Sequence, residues 1–213
     1  MKMDISVIIS VFNRKKLLIR ALDSVFNQSV KNIEIIIIDD GSTDNVEKLL
    51  FPVINKYNNI IYCRQVNQGT PSALNLGIRL SKAEYITFLD SDDEYGKNHL
   101  AIRKRFLQKN KKIDLLFSNA KVIGTEQDYW VPDARNKNKL IHLNDCIIGS
   151  TFFGRRVVFE KLNGFRDKYA HDYDFFKRAV NNYNVLKIDS PTYIYHRETK
   201  NSVINNLKSE MSG

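Results

Sequence analysis

Residues Tyr85-Ile86-Thr87-Phe88-Leu89-Asp90-Ser91-Asp92-Asp93 join an apolar run directly to three carboxylates. The run is β-branched, aromatic and aliphatic, a composition that predicts a buried β-strand. The acidic residues follow at once, so the strand is expected to deliver carboxylates to its own C-terminal edge. A solvated acidic turn that caps the next helix is the alternative, because Asp and Ser also favour such positions.

Carboxylates this close repel one another, and a bound cation is the simplest way to neutralise them. Oxygen ligands at a strand end suit hard divalent ions such as Mg²⁺ or Mn²⁺, which keep several waters and accept further oxygens from a substrate diphosphate. The stretch therefore predicts either a divalent-cation site or the helix cap described above.

The composition is that of a globular protein, with 43% hydrophobic and 27% charged residues among 213. The longest apolar runs, Ile5–Val11 and residues 33–38, are far shorter than the roughly 20 residues that a membrane span needs. The first residues show no signal-peptide pattern. Cys63 and Cys146 have no His or Cys at metal-ligand spacing, so we expect free thiols. These features predict a soluble, cytoplasmic protein.

The net charge of +9 would suit a nucleic acid, an anionic membrane surface or a phosphorylated substrate. Most of the charge is scattered, and a solvated helix end and a loop explain the denser clusters, which are Lys109, Lys111 and Lys112, and Lys137 and Lys139. The sequence shows no RNA-binding, helix-turn-helix or zinc pattern, and no Gly-rich dinucleotide or phosphate loop. We expect no nucleic-acid partner, and peripheral association with an anionic membrane stays open.

Strand and helix patterns alternate in the first half of the chain. The predicted strands are Ile5–Val11 and residues 33–38, 60–63 and 85–89; the predicted helices are Lys15–Phe26, a second one capped by Thr43 or Asp44 that runs to Tyr57, and a third one capped by Thr70 that runs to Ser81. This alternation predicts an α/β fold with a right-handed, parallel sheet. Ligands bind beyond the carboxyl ends of such strands, so we expect residues 10–13, 39–40 and 90–93 to meet at one pocket.

The second half of the chain is less regular. Helices are predicted at residues 98–109, at 157–162 and from His171 onward, and strands at 113–118 and 151–153. Residues 131–139 are polar, basic and contain a proline, so we expect a loop there. No internal repeat or linker divides the chain, and we expect residues 1–213 to form one domain.

Five short motifs, in this order, resemble family 2 glycosyltransferases with the GT-A fold. They are residues 5–14, residues 34–43 with Asp39-Asp40-Gly41-Ser42-Thr43, residues 67–77, residues 88–93, and Gly164-Phe165 with His171-Asp172. The resemblance implies a Rossmann-like, mostly parallel central sheet flanked by helices. Residues 1–95 would then form the half that binds a nucleotide sugar, and residues 96–213 a smaller, acceptor-side half.

The resemblance also implies an activity and its partners. We expect a metal-dependent transfer of a sugar, with inversion, from a nucleoside-diphosphate sugar. The nucleotide would be uridine or thymidine diphosphate, and the cofactor Mn²⁺ or Mg²⁺. The acceptor would be a hydroxyl of a glycan, a lipid-linked molecule or a glycoprotein, as in polysaccharide biosynthesis. Because the tail after His196 is short for the family, we expect further elements in a longer chain. The alternative is a non-catalytic domain that binds a nucleotide sugar or a glycan.

The motifs assign roles to particular residues. Asp172 is the expected catalytic base, and Asp92, Asp90 and His196 are the expected metal ligands. The expected substrate-binding residues are Ser10, Phe12, Asn13, Asp39, Asp40, Arg64, Asn67, Gly69, Asn75, Asp90, Ser91 and His171. Some of them have a structural alternative: Asp172 can cap a helix, the 39–40 pair can belong to an ordinary turn, and His196 can be a packed, hydrogen-bonded side chain.

The sequence departs from the family pattern at three positions. Ser10 replaces a common proline, which a turn does not require. Leu74 replaces a common arginine, so the metal or Arg64 must supply the positive charge for the diphosphate. His171 replaces a common glutamate beside the base, and the Asp itself is retained.

Overall fold

The computed structural model describes residues 3–133, 135, 136, 138–166 and 170–198. The helices are α1 (Lys15–Phe26), α2 (Val46–Lys56), α3 (Thr70–Leu80), α4 (His99–Lys109), α5 (Arg156–Lys161) and α6 (His171–Val180). The strands are β1 (Ile5–Val11), β2 (Ile33–Asp39), β3 (Ile60–Arg64), β4 (Tyr85–Asp90), β5 (Glu94–Tyr95), β6 (Leu115–Phe117), β7 (Lys121–Ile123), β8 (Trp130–Pro132), β9 (Leu140–His142), β10 (Phe153–Arg155), β11 (Val185–Lys187) and β12 (Tyr193–His196). Short 3₁₀ helices cover Glu126–Tyr129, Leu143–Asp145 and Gly149–Thr151. Lys137, in one of the predicted basic clusters, and the tail after residue 198 lie outside the described residues.

A seven-stranded sheet forms the centre of the molecule. Its order is β11-β6-β10-β4-β1-β2-β3, and its strands are parallel except for β10, which runs antiparallel to both neighbours. Strands β5, β12 and β7 make a smaller sheet, and β8 and β9 pair as an antiparallel hairpin. The mostly parallel α/β architecture confirms the fold class expected from the alternating pattern.

The inner strands are buried on both faces, as their nearly continuous apolar sequences require. Along β1, Val7 and Ile9 join a core that includes residues of α1 and α2, whereas Ile8 joins a core that includes residues of α3, α5 and α6. Successive side chains of a strand point to opposite faces, so one run of apolar residues supplies both cores. This burial fixes the strands to which the acidic residues are attached.

Two helix starts differ from the sequence-based expectation. Helix α2 follows Asn45, which has a left-handed backbone (φ 59°), and neither Thr43 nor Asp44 caps it. Those side chains join two loops instead: Asp44 accepts a hydrogen bond from the Lys15 amide at 2.8 Å, and the Thr43 hydroxyl lies 3.2 Å from the side-chain oxygen of Asn13. Helix α3 begins at Thr70 itself, one residue earlier than expected, after Gly69 with a φ of 83°.

The expected loop at residues 131–139 is partly ordered as a hairpin. Trp130–Pro132 pairs with Leu140–His142 in that hairpin. The strand expected at 151–153 begins only at Phe153, and Gly149–Thr151 forms a 3₁₀ turn before it. Cys63 and Cys146 are free thiols. Within the described ranges, no helix combines the length and the apolar character needed to cross a membrane.

Helix α3 packs unusually close to the sheet at Gly77. A Cβ atom on Gly77 would lie 2.4 Å from Cγ2 of Ile8 in β1. We expect Gly77→Ala to lower the free energy of unfolding by about 1–3 kcal/mol, because overpacking outweighs the gain of about 1 kcal/mol in helix propensity. Urea unfolding measures this change, and the exposed substitution Arg79→Ala in the same helix is the control. A more stable Gly77→Ala variant would contradict the close packing.

Candidate active site at the carboxyl ends of the strands

A cavity of about 890 Å³ opens where β1 and β4 end. Ser10 pairs with Asp90 in the register of these strands, so the two strand ends are level. Ten of the residues expected in the site line the cavity, namely Ser10, Phe12, Asp40, Asn67, Gly69, Asp90, Ser91, Asp92, His171 and Asp172. Asn13, Asp39, Arg64, Asn75 and His196 are not among its lining residues.

Asp90 and Asp92 form the acidic end of the cavity. The hydroxyl of Ser150 donates a hydrogen bond to Oδ2 of Asp90 at 2.5 Å. Oδ2 of Asp92 forms an ion pair with Arg14 at 2.5 Å, and Arg20 donates to the backbone oxygen of Asp92. Burial raises the pKa of Asp92; the Arg14 charge lowers it again, and the Asp90 charge adds to the rise. A cation beside Asp92 therefore favours its charged form.

Asp93 has a structural role in this arrangement. It is fully buried, and its two oxygens accept hydrogen bonds from the Tyr193 hydroxyl at 2.7 Å and the His196 amide at 2.8 Å. Burial, with the charges of Asp90 and Asp92, holds the pKa of Asp93 well above its usual range. Asp93 joins β12 to the acidic loop, and it is not a cavity-lining residue.

Mg²⁺ or Mn²⁺ fits the donor set of the acidic loop in part. Asp90 and Asp92 supply carboxylate oxygens, and ions of this kind need only one or two protein carboxylates when a diphosphate supplies further oxygens. Both hydrogen bonds that the Asp90 side chain makes within the described residues fall on Oδ2. The same part of the chain contains no group of three His, Cys, Asp or Glu side chains arranged to hold a metal.

The His196 ring lies between two other carboxylates. Nε2 of its ring lies 2.6 Å from Glu94, and Nδ1 lies 3.4 Å from Glu198. The ring is almost completely buried and does not line the cavity. That His196 coordinates the metal with Asp92 stays a prediction; in this structure both ring nitrogens lie close to carboxylates.

Arg14 is a site residue that the sequence interpretation missed. Arg64, which was expected to supply the positive charge, donates to the Ser42 carbonyl at 2.7 Å and lies 3.8 Å from Asp39, outside the cavity. Arg14 lies on the cavity and pairs with Asp92. Its position in the sequence, directly after the turn that follows the first strand, is the signal that could have identified it.

The two acids at the end of β2 have different surroundings. Asp39 is fully buried and accepts from the Ser42 amide and the Tyr62 hydroxyl, each at 2.8 Å. Asp40 lines the cavity and accepts from the side chain of Gln65 at 2.7 Å and the amides of Gln68 and Gly69 at 2.9 and 2.8 Å. Asp39 therefore stabilises its own turn, and Asp40 ties the loop before α3 to the end of β2.

Two of the expected substrate ligands instead connect segments of the chain. The side-chain oxygen of Asn13 accepts from the Thr43 amide at 2.7 Å, which links the loops after β1 and β2. Asn75 makes two hydrogen bonds to the backbone of Phe165, accepting at 2.8 Å and donating at 2.7 Å. Asn75 thereby ties the backbone of Phe165 to α3.

Asp172 lies in the first turn of α6 and lines the cavity. Its Oδ2 accepts from the Gly149 amide at 3.3 Å, and its Oδ1 accepts from the Tyr173 amide at 2.8 Å. The neighbouring His171 ring meets Phe165 edge-on, with 5.6 Å between ring centroids. The helix begins after Ala170, whose backbone is left-handed with a φ of 52°. One cavity thus contains Asp172 and the acids at the end of β4.

The sequence of residues 6–163 matches Glycosyl transferase family 2. An uncharacterized glycosyltransferase of Rickettsia typhi is 33% identical over 96% of this chain and 68% of its own length. The chain belongs to glycosyltransferase family 2, which confirms the resemblance and the expected enzyme class. A poly(ribitol-phosphate) beta-N-acetylglucosaminyltransferase, TarP of Staphylococcus aureus, is 35% identical over 72% of this chain and 47% of its own.

Solved structures show the same fold. Residues 1–349 of S. aureus TarS, in complex with UDP-GlcNAc, superpose with a TM-score of 0.77 at 22% identity, covering 97% of this chain and 61% of that one. A Pyrobaculum calidifontis mannosyltransferase in complex with GDP-Man and Mn²⁺ gives 0.72 at 18% identity, with 95% and 59% coverage. These matches confirm the GT-A type of fold. The chain spans about three fifths of each of these solved chains.

Asn75 offers a test of its structural role. Asn75→Asp removes the hydrogen bond donated to the Phe165 carbonyl and brings a carboxylate against that oxygen. We expect a loss of about 1–3 kcal/mol in the free energy of unfolding, the usual cost of an unmet polar contact away from water. Asn182→Asp is the matched control, because Asn182 donates a similar 2.8 Å bond to the Arg178 carbonyl at an exposed site. Equal urea midpoints for the two variants would contradict this role of Asn75.

Proposed function

We propose that this chain transfers a sugar from a nucleoside-diphosphate sugar to an acceptor hydroxyl, with inversion and with a divalent cation. The observation that carries the proposal is that Asp90, Asp92 and Asp172 line one cavity of about 890 Å³. Its size is within the range of small-molecule sites. Membership of glycosyltransferase family 2 supports the reaction class.

A uridine or thymidine diphosphate sugar is the donor that we propose. The Phe12 ring lines the cavity and is 46% exposed, so one of its faces can stack on a base. Asp40 is the cavity-lining acid at the end of β2, and a carboxylate has about four acceptor positions, of which three are used here. The imide N–H of uracil or thymine can use the remaining one. The uridine nucleotide bound by TarS agrees with this choice.

The diphosphate would lie at the acidic end of the cavity. Asp90 and Asp92 would hold Mg²⁺ or Mn²⁺, which neutralises charge on a leaving diphosphate. Arg14 is the adjacent side chain that can supply further positive charge once Asp92 binds a metal. The Mn²⁺ in the P. calidifontis enzyme is consistent with this chemistry. Ser10, Ser91 and the 67–69 segment border the same space.

Asp172 is the base that we propose. As the acceptor oxygen bonds to the anomeric carbon of the donor, its proton passes to the Asp172 carboxylate, and the bond from that carbon to the diphosphate breaks. His171 lines the cavity beside Asp172 and can contact the acceptor. In this proposal, residues 1–95 bind the donor and residues 96–213 supply the acceptor side. The acceptor is a glycan, a lipid-linked molecule or a glycoprotein.

Donor binding gives the first test. Calorimetric titration of UDP, with and without Mn²⁺, is compared between the wild type and Asp92→Asn. We expect binding to require the metal and to weaken at least about 10-fold in the variant, because a metal ligand is lost. Asp189→Asn, at an exposed position, is the control. If UDP, dTDP and GDP all fail to bind in any metal condition, the transferase proposal is wrong and a glycan-binding or inactive domain is favoured.

The two arginines give a second test in the same titration. Arg14→Ala should weaken binding of UDP with Mn²⁺ several-fold, because the only one of these two side chains that lies on the cavity is lost. Arg64→Ala should change the affinity by less than about 2-fold, as expected for a residue outside the site. A larger loss of affinity in Arg64→Ala than in Arg14→Ala would indicate that Arg64, not Arg14, contacts the diphosphate.

The base is tested separately from the donor. We expect Asp172→Asn to bind UDP with Mn²⁺ like the wild type. The variant should cleave a UDP-sugar to UDP about 10²–10⁴-fold more slowly, because that factor is the usual contribution of a general base. Release of UDP from a panel of UDP-sugars measures this rate. An unchanged rate in a variant that binds the donor normally would exclude Asp172 as the base.

A further inference from the structure

The turn formed by Gly149 and Ser150 connects the two groups of carboxylates in the cavity. Ser150 donates its hydroxyl hydrogen bond to Asp90 at 2.5 Å. The preceding residue, Gly149, donates its amide hydrogen bond to Asp172 at 3.3 Å. Both residues line the cavity. One pair of consecutive residues therefore contacts both the acid at the end of β4 and the proposed base.

The same turn is firmly attached to the central sheet. Thr151 is fully buried, and its hydroxyl donates to the Ile148 carbonyl at 2.7 Å and lies 3.3 Å from the Ser118 amide. The Thr87 hydroxyl of β4 donates to the Phe152 carbonyl at 2.8 Å. These bonds hold the turn against β4 and next to the end of β6. A fixed turn can set the positions of the side chains that it contacts.

Gly149 is also constrained by space. A Cβ atom on this residue would lie 2.7 Å from Cβ of Asp172 and 3.7 Å from its Cα. Cβ of Asp172 is attached directly to the backbone, so it cannot rotate away as the end of a long side chain can. Any side chain at position 149 would therefore displace Asp172 or the turn. The absence of a side chain at Gly149 allows Asp172 to approach.

We propose that Gly149 and Ser150 are positioning residues for the transfer, an inference that rests on the proposed function. Ser150 orients Asp90 by holding Oδ2, which reserves the other oxygen for the donor complex. Gly149 orients Asp172 through its amide and through its lack of a side chain. Because the two residues are adjacent, the turn sets the separation between the donor-binding acid and the base. Hydrogen bonds of this kind commonly tune a ligand's affinity for its metal.

Ser150 is tested by donor binding. Ser150→Ala should weaken binding of UDP with Mn²⁺ by about 10-fold or more, as is typical when a hydrogen bond to a metal ligand is removed. Ser150→Thr keeps the hydroxyl and should bind within about 2-fold of the wild type, the change expected of a variant that keeps the contact. Ser29→Ala, which removes a surface hydroxyl bonded to Asn98, is the control. Wild-type affinity in Ser150→Ala would overturn the assignment.

Gly149 is tested by comparing donor binding with the reaction rate. Gly149→Ala should bind UDP with Mn²⁺ like the wild type but lower the rate of UDP release from UDP-sugars about 10²-fold, since small displacements of a reacting group have effects of that size. Gly154→Ala is the control, because its Cβ would meet Cδ1 of Leu115 at 2.7 Å and the Asp114 carbonyl oxygen at 3.1 Å, close contacts that do not involve Asp172. Equal rates in the two variants would overturn the role of Gly149.

The wild-type titration distinguishes failure of the proposed function from failure of the inference about the turn. If the wild type binds no nucleoside diphosphate, the proposed function fails and the positioning roles fail with it. If the wild type binds UDP with Mn²⁺ and turns over a UDP-sugar, but neither variant differs from its control, only the inference about the turn is overturned.

Discussion

The shared register of β1, β2 and β4 is the constraint on which the site depends. Ser10 pairs with Asp90, and Val11 pairs with Asp39, so the three strands end at nearly the same level. Parallel strands all present their carboxyl ends at one edge of a sheet. The apolar residues of these strands are buried on both faces, so the positions of the acids are fixed by the same packing that stabilises the fold.

Several acids lie at this edge, and their partners divide them into two groups. Burying a carboxylate costs free energy unless hydrogen bonds or charges compensate it. Asp39 and Asp93 are fully buried and have hydrogen bonds to both oxygens, which makes them parts of the scaffold. Asp90, Asp92 and Asp172 also have partners, but they line the cavity, which Asp39 and Asp93 do not. The second group is therefore the one that a ligand in the cavity can reach.

The contact between Asp92 and Arg14 shows how the cavity manages its charge. Burial and the Asp90 charge both raise the pKa of Asp92, and the guanidinium opposes them. In the proposed reaction a divalent ion would replace Arg14 as the partner of Asp92, and Arg14 would remain beside the diphosphate. The negative charge of Asp92 would then be balanced in both states, by Arg14 without the donor and by the metal ion with it.

The sequence was sufficient to predict the first half of the fold and the convergence of its strand ends. Continuous apolar runs and helical periodicity located β1, α1, β2 and β4 to within a residue, because those patterns follow directly from burial. The hairpin at Trp130–Pro132 was missed, since short strands in polar surroundings have little pattern.

The site was predicted less completely than the fold. Residue type and order pointed to Asp90, Asp92 and Asp172, which line the cavity, but they could not show which side chains have partners elsewhere in the chain. Asn75 binds the Phe165 backbone and Arg64 binds the Ser42 carbonyl, contacts between segments distant in the sequence. Ser150, 60 residues after Asp90 in the chain, was missed for the same reason. Contacts of this kind depend on tertiary packing and leave no local signal.

A crystal structure of the protein with UDP and Mn²⁺ tests the central claim most directly. We expect the nucleotide in the cavity, the metal coordinated by a carboxylate oxygen of Asp92, and Arg14 displaced from Asp92 toward the diphosphate. A nucleotide bound elsewhere on the chain, or one bound in the cavity with the Arg14–Asp92 ion pair intact and the metal held by other residues, would contradict it.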